Sequence, residues 1–172
     1  MDGLGAGGST LFGTLGRQNR RACFFVVLLS ALWGTTFAAG PYTASARADD
    51  ASSRQMVREI NRVRTARDLD PVSQSPPLER ASQRYARWLV VNERFRHAAN
   101  LLLGGFSGVG EVLARHHDHG EHVRRTVRLW MRSPTHRRGL LNPRHQAAGA
   151  ALVQGRLDGN RVSVWVLRLG HR

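Results

Sequence analysis

Apolar residues at helical spacing predict two helices in the first half of the chain. The first is predicted over about 53–67, with Ser52 and Gln55 forming a capping box at its start. The second is predicted from a cap at Ser75 to near Arg94. The apolar positions that carry this periodicity are Met56, Ile60 and Val63 in the first helix and Leu78, Ala81, Tyr85 and Leu89 in the second.

Three shorter helices are predicted in the next segment. Gly110 leads into a predicted short helix over Glu111–Arg115. A clearer helix is predicted over 121–132, because its apolar residues share one face and its arginines another. Ser133 is suited to cap one more short helix, which Pro143 would follow.

The end of the chain has the pattern of β-strands. Residues 147–154 and 162–169 are β-like, and Leu157-Asp158-Gly159-Asn160 supplies a hairpin turn between them. The second strand is apolar at both alternating sets of positions, so it should be covered on both faces. Helices followed by such a buried sheet predict an α+β domain of three layers, α-β-α.

The N-terminal 48 residues have the order of a secretory signal peptide. Three arginines precede a mainly apolar stretch, 22–39, and Ala46-Arg47-Ala48 fits a cleavage site before Asp49. The alternative is a membrane anchor, since the apolar stretch nears the lower length of a spanning helix. We therefore predict a leader over 1–48 and an exported domain over 49–172. The single cysteine, Cys23, lies in the leader, which leaves the domain without a disulfide.

The charge balance is strongly basic. All 26 basic residues are arginines, against 12 acidic ones, and removing residues 1–48 leaves a net charge of +11. Such a charge favours anionic neighbours, such as teichoic acid, acidic lipid or nucleic acid, without choosing among them. Spaced aromatic residues for stacking on bases are absent, so nucleic acid is not the expected partner.

A series of short motifs resembles the CAP superfamily of cysteine-rich secretory, antigen 5 and pathogenesis-related proteins (the SCP domain), in its short bacterial branch without disulfides. No single motif is specific, but their order and spacing over about 54–170 are. They are Asn61-x-x-Arg64, Leu69-x-Pro71-Val72, Leu78-x-x-Ala81, Phe95-x-His97, Gly110-Glu111, Trp130-Met131-x-Ser133-Pro134-x-His136-Arg137, Leu140-Leu141-x-Pro143, Gly149 and Val164-Trp165-Val166 with Gly170.

This resemblance implies an α-β-α sandwich with a central cleft that often carries two histidines and two glutamates. His97, Glu111 and His136 match three members of that tetrad. The second glutamate is missing, because Arg132-Ser133 stand where it normally lies. The departure counts against a four-residue catalytic apparatus.

Two imidazoles and a carboxylate can bind a divalent metal such as Zn²⁺ and leave one position open. We expect a neutral His136 in the first turn of its helix and an ionised Glu111 at a helix start. The alternative is that His97, Glu111 and His136 hydrogen-bond to one another and fasten three loops together.

Two other candidate sites are less favoured. The run His116-His117-Asp118-His119, with Glu121 and His122, could bind metal, but a solvated polar loop is the preferred interpretation. Ser133 near His136 could form a nucleophilic pair, but a serine before Pro134 is better explained as a helix cap.

The function expected from the sequence is a secreted or envelope-associated, non-catalytic binding module. Its cleft would hold a divalent metal or a small ligand, and the resemblance allows lipid binding elsewhere. One alternative is a metal-assisted hydrolase acting on peptide or cell-wall material, for which Glu111 would have to be both ligand and base. Another is a basic adhesion protein that binds anionic envelope polymers. A monomer is expected.

Overall fold

A computed structural model describes the backbone of residues 41–172 and their side chains from Asp50 onward. The predicted signal peptide therefore lies almost wholly outside the described residues, and its prediction stays open. The elements are α1 (Pro41–Thr65), β1 (Ser73–Gln74), α2 (Pro76–Val91), β2 (Gly108–His116), α3 (Val123–Arg132), α4 (Pro134–Leu140), β3 (Ala147–Leu157) and β4 (Asn160–His171). No helix in this part of the chain is both long and apolar enough to cross a membrane.

The strands form one mixed sheet in the order β1-β3-β4-β2. The central strand β4 pairs antiparallel with both β3 and β2, while β1 runs parallel to β3. The turn between β3 and β4 is the predicted one, with Asp158 at φ 51° and Gly159 at φ 75°. Strand β2 therefore lies at one edge of the sheet.

Helices cover both faces of this sheet, which confirms the three-layer α-β-α prediction. Trp165, Leu167 and Leu169 pack with α1, α3 and α4 on one face. Val164 and Val166 pack with α2 on the other. The apolar residues on both sides of β4 are therefore buried in two separate clusters.

The start predicted for the first helix is wrong. Helix α1 begins at Pro41, and Ser52 lies within it, buried, donating its hydroxyl to Glu121 Oε1 at 2.7 Å. Proline suits the first position of a helix, and the alanine-rich residues 44–51 contain no residue that would stop one. The Ser52–Gln55 spacing matched a capping box only by coincidence.

The absence of a side chain at Gly149 lets α2 approach β3 closely. A Cβ at this position would lie 2.5 Å from the carbonyl carbon of Leu78 and nearer still to the amide nitrogen of Glu79. Both are backbone atoms, so the helix would have to move away from the strand.

We expect Gly149→Ala to lower the free energy of unfolding by about 3 kcal/mol, as is typical of overpacking against backbone. Urea denaturation of the full chain measures this loss. Gly104→Ala is the matched control, because nothing lies within 4 Å of its added Cβ. A loss at Gly149 no larger than at Gly104 would contradict the close approach.

Candidate functional site

Glu111 lies in a strand, so the predicted short helix over Glu111–Arg115 is wrong. It stands in β2, opposite Arg168 of β4 in the antiparallel register. Nine consecutive residues of β2 pair with β4, and this long-range pairing outweighs any local helical preference. A helix start therefore does not supply the field that holds the Glu111 carboxylate.

The Glu111 carboxylate is buried and hydrogen-bonded at both oxygens. Its side chain is only 1% exposed. Oε1 accepts a hydrogen bond from the backbone N–H of Ala98 at 3.0 Å and contacts His97 Nδ1 at 3.1 Å. Oε2 accepts from Nη2 and Nε of Arg168, at 3.0 and 3.3 Å. The charge of this carboxylate is thus compensated by a neighbouring guanidinium, as a buried carboxylate requires.

Arg168 is the site residue that the motifs did not identify. Its side chain is 11% exposed and sits on the α2 side of the sheet. The signal was present in the sequence, because an arginine at an inward position of a strand apolar on both faces needs an anionic partner.

The segment after α2 brings His97 to Glu111. Tyr85 of α2 donates its hydroxyl to the carbonyl oxygen of Arg96 at 2.8 Å, which fastens this segment to the helix. Burial, and then the negative charge of Glu111, raise the pKa of the Tyr85 hydroxyl, so it stays protonated as the donor. The His97 side chain remains 58% exposed at the mouth of the site.

His136 lies near His97 but makes no hydrogen bond to Glu111 among the described residues. It stands in α4, half-buried. Burial lowers the pKa of His136, and the charge of His97 lowers it further. This direction agrees with the expectation of a neutral His136, although burial rather than the helix end is the main cause.

A three-ligand metal centre does not fit this arrangement. Both Glu111 oxygens are engaged, one of them by the cation of Arg168, which would repel a second positive charge. Within residues 50–172 no group of three histidine, cysteine, aspartate or glutamate side chains is placed to hold a metal ion. Zinc binding by His97, Glu111 and His136 stays a prediction that geometry does not favour.

A pocket of about 350 Å³ opens beside this network. We call it the aromatic–arginine pocket, and it is lined by Tyr85, Trp88, Arg96, His97, Ala98, Ala99, Asn100 and Arg168. The rings of Tyr85 and Trp88 are parallel within 5°, with centroids 5.7 Å apart. The Arg96 guanidinium lies 5.4 Å from the Trp88 ring centroid, and that of Arg168 lies 5.3 Å from the Tyr85 ring.

The histidine-rich run is partly structural, so the prediction of a solvated loop is wrong for His116. That residue ends β2, is 4% exposed and hydrogen-bonds through Nε2 to the Thr126 hydroxyl at 2.7 Å. Asp118 pairs with His122 at 2.8 Å. These contacts join the end of β2 to the start of α3 and bring no three metal ligands together in the described part of the chain.

Ser133 occupies the N-cap position of α4, as predicted, but its side chain makes no capping hydrogen bond. Its carbonyl accepts the Arg137 N–H at 2.8 Å instead. No hydrogen bond joins Ser133 to His136 in the described residues, so the geometry offers no support for a nucleophilic pair.

Comparison with solved structures gives neighbours of the same fold. An outer surface protein from Borrelia burgdorferi is 23% identical, with a TM-score of 0.57 over 69% of this chain and 91% of that one. An extracellular SCP-domain protein from Bacillus anthracis is 18% identical, with a TM-score of 0.57 over 72% and 41%. A cysteine-rich secretory protein from Staphylococcus aureus is 14% identical, with a TM-score of 0.51 over 72% and 39%. This chain spans less than half of the latter two proteins.

Identities this low establish a shared fold only. A search of curated proteins found no match. The sequence profile of the cysteine-rich secretory protein family (CAP), however, matches residues 57–168, which is more than half of the chain and contains His97, Glu111 and His136. The chain therefore belongs to the CAP family.

Proposed function

We propose that this protein is a non-catalytic binding module that acts outside the cytoplasm. Its ligand would be a small molecule held in the cleft around His97, Glu111 and His136. The observation that carries the proposal is the buried Glu111 carboxylate, whose two oxygens are both occupied. Such a carboxylate has no free oxygen with which to activate water, while the pocket beside it is open.

The location outside the cytoplasm rests on two supports. The first 48 residues have the pattern of a secretory leader. The structural neighbours are described as an outer surface protein and an extracellular protein. Both are bacterial proteins of the same fold.

Adhesion to anionic envelope polymers is the second candidate, favoured by one specific feature. A groove of about 620 Å³ between α1, α3 and α4 is lined by five arginines and one glutamate. Glu59 is the acidic residue, and Arg62 already pairs with it at 2.7 Å. The remaining arginines give the groove a net positive charge that suits a polyanion. They are Arg67, Arg128, Arg132 and Arg137.

A thermal-shift panel on the full chain tests the cleft proposal. We expect at least one small ligand to raise the melting temperature of the wild type but not that of a His97→Ala/His136→Ala variant, since binding to the folded state stabilises it. His117→Ala, in the exposed part of the histidine-rich run, is the matched control and should respond like the wild type.

Three outcomes would replace this proposal. Hydrolysis of peptide or cell-wall material that Glu111→Gln abolishes would establish an enzyme. A zinc site lost only in the His97→Ala/His136→Ala variant would establish a metal centre. Salt-sensitive binding to anionic polymer that is unchanged by His136→Ala would move the function to the arginine-lined groove.

A further inference from the structure

The aromatic–arginine pocket combines a cation, Arg96, with an accessible ring surface. Among the described residues no carboxylate lies within ion-pair distance of Arg96, whose guanidinium is held over Trp88. Trp88 is 37% exposed, which is uncommon for so large an apolar side chain. Both features face a concave space, so they are available to a ligand.

The electrostatic balance of this pocket is positive. Glu111 contacts the lining residue Arg168, but its side chain is 1% exposed and accepts hydrogen bonds from Arg168 Nε and Nη2. Arg84 adds a further cation where an adjoining cleft shares Tyr85, Trp88 and Arg168 with the pocket. An anionic group would therefore meet guanidinium groups without meeting an exposed carboxylate.

The size and the walls of the pocket restrict the ligand further. A volume of about 350 Å³ suits one ring with a short substituent. Trp88 and Tyr85 line the pocket with aromatic surface, which suits a planar ring or the apolar face of a sugar ring. A guanidinium prefers a planar, bidentate anion such as a carboxylate.

We propose, resting on the binding function above, that the aromatic–arginine pocket binds a small ring-bearing carboxylate. The ring lies against Trp88, and the carboxylate accepts hydrogen bonds from Arg96. An acidic sugar and an aromatic acid share this chemistry, and the experiment distinguishes them.

Calorimetric titration of the full chain with five probes separates the ring from the charge. Benzoate and N-acetylmuramic acid carry both a ring and a carboxylate. Benzyl alcohol and N-acetylglucosamine keep the ring without the charge, and acetate keeps the charge without the ring. We expect one of the first two to bind at least about tenfold more tightly than its neutral counterpart and than acetate, and that preference identifies the source.

Two variants and a matched control locate the binding. Arg96→Gln should weaken binding of the preferred probe by about tenfold, through loss of a charge-assisted hydrogen bond. Trp88→Leu keeps the helix surface apolar, but it should bring the affinity for the preferred probe close to the affinity for acetate. Arg94→Gln makes the same charge change at an exposed position two residues away and should alter binding by less than about twofold. Thermal melting of each variant reports any loss of folding separately.

Several results would overturn this inference. If acetate bound as tightly as benzoate, the ring would not be required for binding. If N-acetylglucosamine bound as tightly as N-acetylmuramic acid, the carboxylate would not be required. Equal losses in Arg94→Gln and Arg96→Gln would show a general charge effect. No binding of any probe would also overturn it, while the broader binding function would stand if the thermal-shift panel found another ligand dependent on His97 and His136.

Discussion

Arg64→Met is expected to lower the free energy of unfolding by about 3–5 kcal/mol, because it removes a buried cation on which several backbone carbonyls depend. Arg64 is fully buried. Its Nε donates to the carbonyl of Asp70 at 2.9 Å, and its Nη1 donates to those of Leu140 and Asn142 at 2.7 and 3.0 Å. Without the guanidinium these oxygens would be buried with too few donors.

The position of Arg64 explains why the loss should be cooperative. It stands near the end of α1, while Leu140 ends α4 and His145, which accepts a weaker bond at 3.4 Å, precedes β3. One side chain thus joins the end of α1 to residues 140–145, which are more than seventy residues away in sequence. The carbonyls at the end of α4 also carry the negative end of its dipole, which favours a cation there.

Urea denaturation of the full chain measures the effect, and Arg62→Met is the matched control. Arg62 lies on the same helix, but its side chain is 67% exposed and pairs with Glu59. The Glu59 side chain is only 10% exposed, but an ion pair to so exposed a guanidinium contributes about 1 kcal/mol. Arg64→Lys should recover little, because an ammonium cannot fork to carbonyls in three directions. A loss below about 1 kcal/mol in Arg64→Met would refute the structural role.

Periodicity predicted those parts of the fold in which local sequence and final environment agree. Helix α2 has apolar residues at helical spacing and a proline at its first position, and it forms where expected. The β3–β4 hairpin follows from Asp158-Gly159, which adopt the positive φ values that such a turn requires. In both cases the conformation that the local sequence prefers is also the one that buries its apolar side chains.

Strand β2 could not be predicted in the same way. Two glycines and the short apolar stretch around Val112 and Leu113 are ambiguous between a helix turn and a strand. Pairing with β4, more than fifty residues later for most of the strand, decides the outcome. The periodicity of a short stretch of sequence does not reveal a pairing partner so far away.

In the candidate site, too, one contact could be predicted from the sequence and another could not. The resemblance to the CAP superfamily brought His97 and Glu111 together, and they are in contact at 3.1 Å. It did not predict Arg168, which donates two hydrogen bonds to the Glu111 carboxylate. This contact disfavours the metal centre that the same resemblance suggested. The register of β2 against β4, which sets Glu111 opposite Arg168, was needed to see the pair.

Acid should destabilise the protein through His145. This side chain is 6% exposed, and its buried Nδ1 has no hydrogen-bond partner in the described structure. Burial lowers the pKa of His145 to about 4, with further contributions from the positive charges of His171, whose ring centroid is 5.9 Å away, and of Arg64. The charged imidazolium is therefore disfavoured in the folded state.

The sign of the effect follows from proton binding. An unfolded histidine titrates near pH 6.5, so between about pH 6.5 and 4 the unfolded chain binds a proton at His145 that the folded chain does not. Stability due to this group is fully present above the unfolded pKa and falls as the pH drops towards 4. The loss is about 2 kcal/mol between pH 7 and pH 5, from one proton and a displacement of roughly 2.5 pH units.

His145→Phe should remove this dependence, because it replaces the imidazole by a somewhat larger apolar ring and eliminates the unpaired Nδ1. Urea denaturation at pH 7 and pH 5 should show the variant within about 1 kcal/mol of the wild type at pH 7 and the more stable of the two at pH 5. Burial also lowers the pKa values of His116 and His136, so both proteins should lose some further stability on acidification. His117→Phe, at an exposed position, should keep the wild-type difference between the two pH values. If His145→Phe lost as much stability on acidification as the wild type, His145 would not be the group that couples folding to pH.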